Sequence, residues 1–451
     1  MNILLINPPI NNLSRIPLGL GYIASVLLKE GHEVKLIDIN GLGLKQKQVL
    51  KLIKKNSCEV VGIGGLVITY KYVKWLTHEI KKIKPKTKIV LGGGVGASIP
   101  ELAFKNMNID YIVDKEGELT IIDLLDNLDK PHRVKGIYYK ENGTVHRTPD
   151  RELIQNLDKI PFPARNLFPK IYFKPSLRFH WKRKTNMICG RGCPFRCGFC
   201  WHNFGYNNRL RSPENIIEEI KSLKREYGVG YFLIDDELAV SQKEKFLEFC
   251  NKLAEEDLNI KWMCTTRVSS VDEELLRAMK KAGCDCISYG IESGSQRMLN
   301  AINKGTTVEQ GKNAILLTRK IGIKADASFM VGVPGETKET IEETIDFCKK
   351  VKLPQQIKIY ITTSFPSTPF YEYAKKKNLI KNEEEYLEKI TGTVNLNLNL
   401  SNLPDDELVD LRNKAQKMIS INWFEQLLEN CRYSGLTNLI KWFFRQKRVI
   451  S

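Results

Sequence analysis

Short apolar runs alternate with amphipathic stretches twice along this chain, and that alternation limits its fold more than any other feature. In residues 1–130, "NILLIN" (2–7), "EVKLIDI" (33–39), "VVGIGG" (60–65), "KIVLGGG" (88–94) and "DYIVDKEGE" (110–118) read as strands. Helical patterns separate them: "LGLGYIASVLLKEGH" (18–32) closed by Gly31, "KQVLKLIKK" (47–55), "TYKYVKWLTHEIKKIKP" (69–85) stopped by Pro85, and "LTIIDLLDNL" (119–128). Continuous apolar strands alternating with helices predict an α/β, doubly wound parallel sheet. Such sheets bind ligands beyond the carboxyl ends of their strands. A second series runs from 185 to about 363, with strand candidates at 185–189, 231–234, 260–265, 285–290, 324–331 and 357–362. Among its helices, "SPENIIEEIKSLKREYG" (212–228) carries a Ser cap, Pro in the first turn and a closing Gly. Six βα units suit an open or partial barrel better than a flat sheet, and barrels of this type place their chemistry at the carboxyl ends of the strands.

The remaining segments are less regular. Residues 131–184 read as a linker leading into the second series. They contain "KGIYYKENGTVHRTP", a hairpin with the turn pair Asn142-Gly143, then "IPFPARNLFP", whose three prolines deny it regular structure. Residues 381–451 turn Lys/Glu/Asn-rich and read mainly as helix, and no repeat of solenoid period runs through the chain. The predicted domains are therefore 1–130, a linker 131–184, a barrel at 185–380 and a helical region 381–451.

Composition narrows the class. With 42% hydrophobic and 27% charged residues the chain is globular rather than disordered. "MNILLINPPI" has no basic segment ahead of a long apolar one, so no signal peptide is expected, and no apolar run nears the roughly 20 residues of a membrane span. The cytoplasm is the expected compartment, where clustered cysteines bind metal more often than they form disulfides. The net charge of +18 is compatible with nucleic acid, an anionic membrane surface or an acidic substrate, and equally with compositional drift, since Lys, Ile and Asn are abundant throughout.

The chemistry concentrates in "CGRGCPFRCGFCWH" (189–202). Cys193, Cys197 and Cys200 form C-x3-C-x2-C with no second pair nearby, whereas a tetrahedral zinc site wants four ligands. Three thiolates can hold three irons of a 4Fe–4S cluster and leave the fourth open to a small molecule. Cys189 falls outside the triplet and reads as a packing residue, and zinc or unligated thiols remain alternatives at this point.

The triplet, with Phe199 before its last cysteine, resembles the radical S-adenosylmethionine (SAM) enzymes. That resemblance implies Cys193, Cys197 and Cys200 as cluster ligands, SAM on the open iron, and reductive cleavage to a 5′-deoxyadenosyl radical. It continues through "DDE" (235–237), "TTR" (265–267), "YGIESGS" (289–295) and "FMVGVPGET" (329–337), each at a strand end. It implies SAM contacts at Phe199, Asp236, Glu237, Arg267, Glu292, Ser293 and Gly332. Arg267 would face the methionine carboxylate and Glu292 the ribose hydroxyls.

The N-terminal half has glycines at its strand ends but neither G-x-G-x-x-G after the first strand nor G-x-x-x-x-G-K-[ST]. "NILLINPP", "PLGLGYIASVLLKEGHEVKLIDIN", "VLGGG" and "DKEGE" look like the cobalamin-binding domain that precedes the radical barrel in one branch of that family. The resemblance, over about residues 1–380, implies a Rossmann-like domain, a partial (β/α)6 radical SAM barrel, and cobalamin held between the two. Its implied contacts are Asn7, Pro8, Leu18, Gly19, Gly65, Leu66, Gly93, Gly94, Glu116, Gly117 and Glu118. Cobalamin proteins that bind cobalt through histidine carry D-x-H-x-x-G after the first strand. Here that stretch is "NPPINNLSRIPLG", and the near miss Asp38-Ile39-Asn40-Gly41-Leu42-Gly43 has Asn in place of His. No protein histidine is therefore expected on cobalt. His202, beside the cluster loop, reads as a supporting or solvent-facing residue.

The expected function is methyl transfer to an unactivated carbon, with cyclisation, rearrangement or oxidation as alternatives on the same scaffold. A methylthiotransferase is disfavoured because that group carries a further N-terminal cysteine triplet and only Cys58 precedes residue 189. A cobalamin or redox sensor without catalysis is the non-enzymatic alternative. Expected partners are a small-molecule, lipid or peptide substrate and an electron donor such as ferredoxin or flavodoxin, with no nucleic acid. The tail "LIKWFFRQKRVIS" (439–451) combines aromatic and basic residues without an acid, a pattern suited to peripheral membrane contact or to docking on the barrel.

Overall fold

The strands form because their apolar runs have two faces to bury, and in a computed structural model of the chain they assemble into two sheets. The structure describes residues 1–10, 15–352 and 357–419. The basic tail at 439–451 lies outside the described residues. The described chain divides into two compact units, one of Met1–Tyr172, Cys200–Arg209 and Ser364–Gly392, the other of Phe173–Phe199, Leu210–Thr363 and the residues from Thr393. No helix among the described residues is long and apolar enough to cross a membrane.

The first unit is built on seven strands: β1 (Asn2–Asn7), β2 (Glu33–Asp38), β3 (Val60–Gly64), β4 (Lys88–Gly92), β5 (Tyr111–Val113), β6 (Ile137–Glu141) and β7 (Thr144–Arg147). Their order is β2-β1-β3-β4-β5-β6-β7. The first five are parallel, with Ile3 beside both Val34 and Val60. Ile3 to Ile6 are all buried, as a strand covered on both faces requires. The strand order reverses at β1/β3, which opens a crevice at the carboxyl ends of those strands.

The sheet is mixed rather than wholly parallel. The hairpin expected in the linker adds β6 and β7 to its edge, antiparallel to β5. Asn142 (φ 49°) and Gly143 (φ 82°) both take left-handed conformations, the requirement of a tight two-residue hairpin turn. Antiparallel pairing at an edge needs no crossover helix, so a linker segment can supply it.

The second unit carries six parallel strands in sequential order: β8 (Arg183–Met187), β9 (Val229–Ile234), β10 (Lys261–Thr266), β11 (Cys284–Glu292), β12 (Lys324–Val331) and β13 (Lys358–Ile361). This is the open barrel sheet expected from the second βα series. Its connecting helices behave as the sequence predicts. Ser212 Oγ accepts from Asn215 N at the start of Pro213–Tyr227, and Gly228 (φ 65°) ends it in the left-handed conformation.

Side chains on these strands alternate between helices and the opposite face. Trp262 packs on Phe246 and Phe249, Tyr289 bonds Thr318 at 2.7 Å, and Phe329 packs on Phe347. Thr265, Ser288, Gly290, Ser328 and Met330 therefore take the face away from the helices. On the second sheet Phe179, Tyr231 and Leu233 pack with Met263. There Asp285 meets His180 Nε2 at 2.9 Å and accepts from Tyr231 Oη at 3.1 Å.

Candidate functional site

In the second unit the site grows from loops at the carboxyl ends of the strands. After β8, the main chain turns at Gly192 (φ 92°) into the cysteine loop. Cys193 is half-buried and Cys197 buried, while Cys200, which belongs to the first unit, is exposed. Among the described residues no three or more His, Cys, Asp or Glu side chains form a set able to hold a metal ion. What marks the loop is its surroundings. Arg267 Nη1 reaches Cys197 Sγ at 3.7 Å, and its guanidinium carbon is 3.5 Å from the ring centre of Phe195. A guanidinium donor at sulfur suits a sulfur that ligates metal.

The loop backbone is laced to a segment that sequence reading did not single out. Gly198 N donates to Ile302 O at 2.9 Å, and Asn303 Nδ2 donates to Arg196 O at 2.8 Å. The carbonyl of Lys304 accepts from Arg267 Nη2. Lys304 Nζ meets Glu292 Oε1 at 2.9 Å and stands 5.9 Å from the ring centre of Phe199. The only sequence signal for this segment is the turn dipeptide Lys304-Gly305.

The expected SAM residues fall at strand ends, in differing states. Asp236, after β9, accepts from Cys189 N at 2.7 Å, and burial pushes its carboxyl up to about 7. Glu237 is exposed. Arg267 already spends both terminal nitrogens on protein partners. Glu292, at the end of β11, has φ 70°, a left-handed conformation that is unfavourable for a non-glycine residue. Ser293 is buried against Thr344 Oγ1 at 3.1 Å and accepts from Ser295 N. Gly332 (φ 83°) donates to Glu336 Oε2, whose carboxyl burial pushes up to about 7. Cys189 is buried and its thiol is raised by that burial, as a packing residue's would be.

A test of fit to a bound cofactor is available in the unsatisfied atoms. Asp236 Oδ2, Thr266 Oγ1, Arg267 Nε, Ser295 Oγ and Thr362 Oγ1 are buried without a hydrogen-bond partner. They belong to the ends of four different strands. Buried polar atoms are rarely left unpaired without a reason, and a polar ligand such as SAM supplies one. These residues fit the group.

In the first unit the carboxyl ends of β3 and β4 are glycine-rich, at Gly64-Gly65 and Gly92-Gly93-Gly94. A β-carbon at Gly93 (φ 74°) would lie 2.8 Å from Gly65 O, and one at Gly65 would lie 2.7 Å from Thr69 Oγ1 and 3.2 Å from Pro8 Cγ. At Gly19 and Gly92 a β-carbon would meet nothing within 4 Å, and Leu66 is 52% exposed. The open main chain at Gly19 and Gly92, beside exposed Leu66, forms a glycine shelf that fits a broad, flat group such as a corrin. Trp201, just past Cys200, borders it: a β-carbon at Gly94 would be 3.3 Å from the indole. Leu18 begins the helix Leu18–Lys29 beside this shelf.

Other expected cobalamin contacts are engaged by the protein. Asn7 Nδ2 donates to Asp38 Oδ1 at 2.7 Å. Asp38 accepts from Gly41 N at 2.9 Å and Asn40 from Ile10 N at 3.1 Å, so this near-miss motif ties its own turn together. Glu116 binds Arg209 Nη1 with both oxygens, at 3.0 and 2.8 Å, and accepts from Ile154 N at 2.7 Å. Gly117 caps the helix Glu118–Asp126, where a β-carbon would be 2.9 Å from Ile23 Cδ1. Glu118 is buried in its first turn. His202 packs on Tyr206 with ring centres 4.7 Å apart.

Comparison with known proteins gives the same two halves. Residues 187–348 match the family model of the radical SAM superfamily, and residues 14–125 that of the B12 binding domain. The chain is 36% identical over 394 residues to an uncharacterized methyltransferase of Pyrococcus horikoshii, covering 84% of each chain. It is 31% identical to the anaerobic magnesium-protoporphyrin IX monomethyl ester cyclase of Rubrivivax gelatinosus, covering 82% of this chain and 68% of that one. In fold it is similar to the radical S-adenosylmethionine methyltransferase TsrM of Kitasatospora setae, solved with tryptophan substrate and a SAM analogue. The TM-score is 0.71 at 19% identity, with 84% of this chain and 77% of that one covered.

Proposed function

The chain belongs to the radical SAM superfamily, in the group whose barrel follows a B12-binding domain, and from that premise we propose that it methylates an unactivated carbon of its substrate. It is a radical SAM enzyme, and its cofactors are a 4Fe–4S cluster, SAM and cobalamin. When bound, the cluster supplies single-electron reduction of SAM, and cobalamin supplies a transferable methyl group.

The chain's own residues have distinct tasks in this reading. Cys193, Cys197 and Cys200 hold the cluster. Arg267 holds its guanidinium beside the Cys197 sulfur, where its charge would favour reduction of a cluster held there. The unpaired buried atoms of Asp236, Thr266 and Ser295 orient the polar end of SAM, and Glu292 receives its ribose hydroxyls. Gly19 and Gly92, where a side chain would meet no protein atom, let the corrin lie directly on main chain, and Gly65, Gly93 and Gly94 allow the close packing of the loops around it. Such residues align reacting centres, while the cofactors carry the bond-breaking steps. The substrate is a small molecule, lipid or peptide, and a one-electron donor protein completes the cycle.

The glycine shelf in the same chain as the cysteine loop supports cobalamin, and the observation that carries the methyl-transfer reading is the 36% identity to the Pyrococcus horikoshii methyltransferase. The likeness to the Rubrivivax cyclase favours a second reading, radical ring closure on the same scaffold. Anaerobic reconstitution with iron, sulfide and cobalamin, followed by reductant and SAM, tests the first step through release of 5′-deoxyadenosine. Release abolished in Cys193→Ala, Cys197→Ala or Cys200→Ala supports the cluster assignment. Loss of the cobalamin absorption on desalting overturns methyl transfer. A comparison of cell extracts with and without the gene separates the readings: a product heavier by one CH2 marks methylation, one lighter by two hydrogens marks ring closure.

A further inference from the structure

Lys304 is a buried cation with two jobs written into its contacts. It occupies the turn between the helices Gln296–Ala301 and Val308–Lys320, where Asn303 (φ 52°) and Gly305 (φ 65°) are both left-handed. Its ammonium pairs with Glu292 at 2.9 Å, with the two side chains only 7% and 11% exposed. Its carbonyl holds Arg267, whose other terminal nitrogen is on Cys197 Sγ.

The surrounding sequence makes room for this pair. A β-carbon at Gly290 would come within 2.5 Å of Glu292 Oε1 and 3.1 Å of Lys304 Nζ, so any other residue there would displace it. Glu292 itself is held in the left-handed region, a conformation that persists only where neighbours over-determine it. A β-carbon at Gly294 would lie 2.7 Å from Glu343 O and Thr344 Cα, so the chain after Glu292 is pressed against the helix Lys338–Lys350. Removing one partner of a buried pair leaves the other charge stranded, so Lys304 and Glu292 are fixed together.

We propose that Lys304 is a positioning residue: its side chain fixes Glu292 at the nucleoside end of the SAM site, and its carbonyl fixes Arg267 on the cluster-side sulfur. The two ends of the site are thereby joined through one residue. This rests on the reading that SAM binds at these strand ends.

The test uses the full chain, reconstituted anaerobically, with two readouts: the SAM dissociation constant, and the change that SAM produces in the electron paramagnetic resonance of the reduced cluster. Lys304→Met is expected to weaken SAM binding about tenfold or more and to blunt that spectral change, while Lys304→Arg recovers most of both. A double-mutant cycle guards against simple misfolding. If Lys304 acts through Glu292, adding Lys304→Met to Glu292→Gln has little further effect on SAM binding, and the double variant holds no stranded charge. SAM affinity unchanged in Lys304→Met overturns the proposal, as does a full tenfold loss in the Glu292→Gln background. If the wild-type spectrum itself ignores SAM, the functional reading fails and this proposal with it. A SAM-responsive wild type beside an unaffected Lys304→Met removes this proposal alone.

Discussion

Arg267 places one guanidinium nitrogen 3.7 Å from the sulfur of Cys197. The plane of that group lies over Phe195 and its second nitrogen is on Lys304 O, so the contact is fixed from three sides. Lysine has neither the planar face nor the fork to reproduce it. Arg267→Lys is expected to fold and to bind a cluster whose reduction potential is lower, because a charged donor to sulfur stabilises the reduced state. A hydrogen bond to a charged group is worth about 1.5 kcal/mol, which for one electron is about 60 mV. A potentiometric titration followed by electron paramagnetic resonance checks this, and an unchanged potential sinks it.

The glycine shelf makes a prediction with an internal control. Gly93 (φ 74°) has both a left-handed backbone and a carbonyl, Gly65 O, 2.8 Å from where a β-carbon would sit. Gly43 (φ 60°) has the backbone conformation but nothing within 4 Å. Gly43→Ala should cost only about 1–2 kcal/mol of conformational strain and leave cobalamin retention intact. Gly93→Ala must also push the β3 and β4 loops apart. It is expected to lose most of its cobalamin on desalting, read from the visible absorption. Equal retention in the two variants would show that the shelf is not where the corrin lies.

Much of this was legible because burial writes itself into strands. Strands covered on both faces must be apolar at every position, so "NILLIN" and "VVGIGG" declare themselves, and Ser212, Pro213 and Gly228 announce a helix by the chemistry of its ends. Cysteine spacing likewise marks a metal loop locally. Residues that act through distant partners leave no such trace. Glu116 reads as a ligand contact in "DKEGE", and nothing in that stretch announces its ion-pair partner Arg209, 93 positions downstream. Lys304 reads as one lysine among many until the fold sets Glu292 against it. The linker hairpin was visible as a hairpin, while its joining the sheet edge depended on β5 offering an unpaired side.

The Glu116–Arg209 pair is buried, at 3% and 6% side-chain exposure, and Ile154 N uses the same carboxylate. Arg209→Met strands the carboxylate, and breaking a buried pair from one side costs about 3–5 kcal/mol. Replacing both, as Glu116→Gln with Arg209→Met, is expected to recover part of the loss because no lone charge remains. Urea unfolding of the two variants and the wild type measures this. A structural pair behaves so whether or not cobalamin is present. A Glu116→Gln protein that is fully stable but fails to retain cobalamin would show that Glu116 serves the ligand rather than the fold.

Glu336 sets a pH dependence whose sign follows from its burial. Its Oε2 accepts from Gly332 N and, at 3.3 Å, from Val333 N. These bonds favour the carboxylate, but burial outweighs them and pushes the carboxyl from 4.5 up to about 7. The folded protein thus holds this proton more tightly than the unfolded chain. The stabilisation is full below about pH 4.5 and is lost as pH rises through about 7. At 1.36 kcal/mol per unit the whole effect is on the order of 3 kcal/mol. Glu336→Gln keeps the shape and an accepting oxygen for Gly332 N but does not titrate. Between pH 5 and pH 8 the wild type should therefore lose more unfolding free energy than Glu336→Gln, by a margin of that order. Asp236, also pushed up to about 7, remains in both proteins and leaves a slope of the same sign in each. Parallel stability curves for wild type and Glu336→Gln would mean that Glu336 stays ionised across this range, and that its two backbone donors, rather than burial, decide its state.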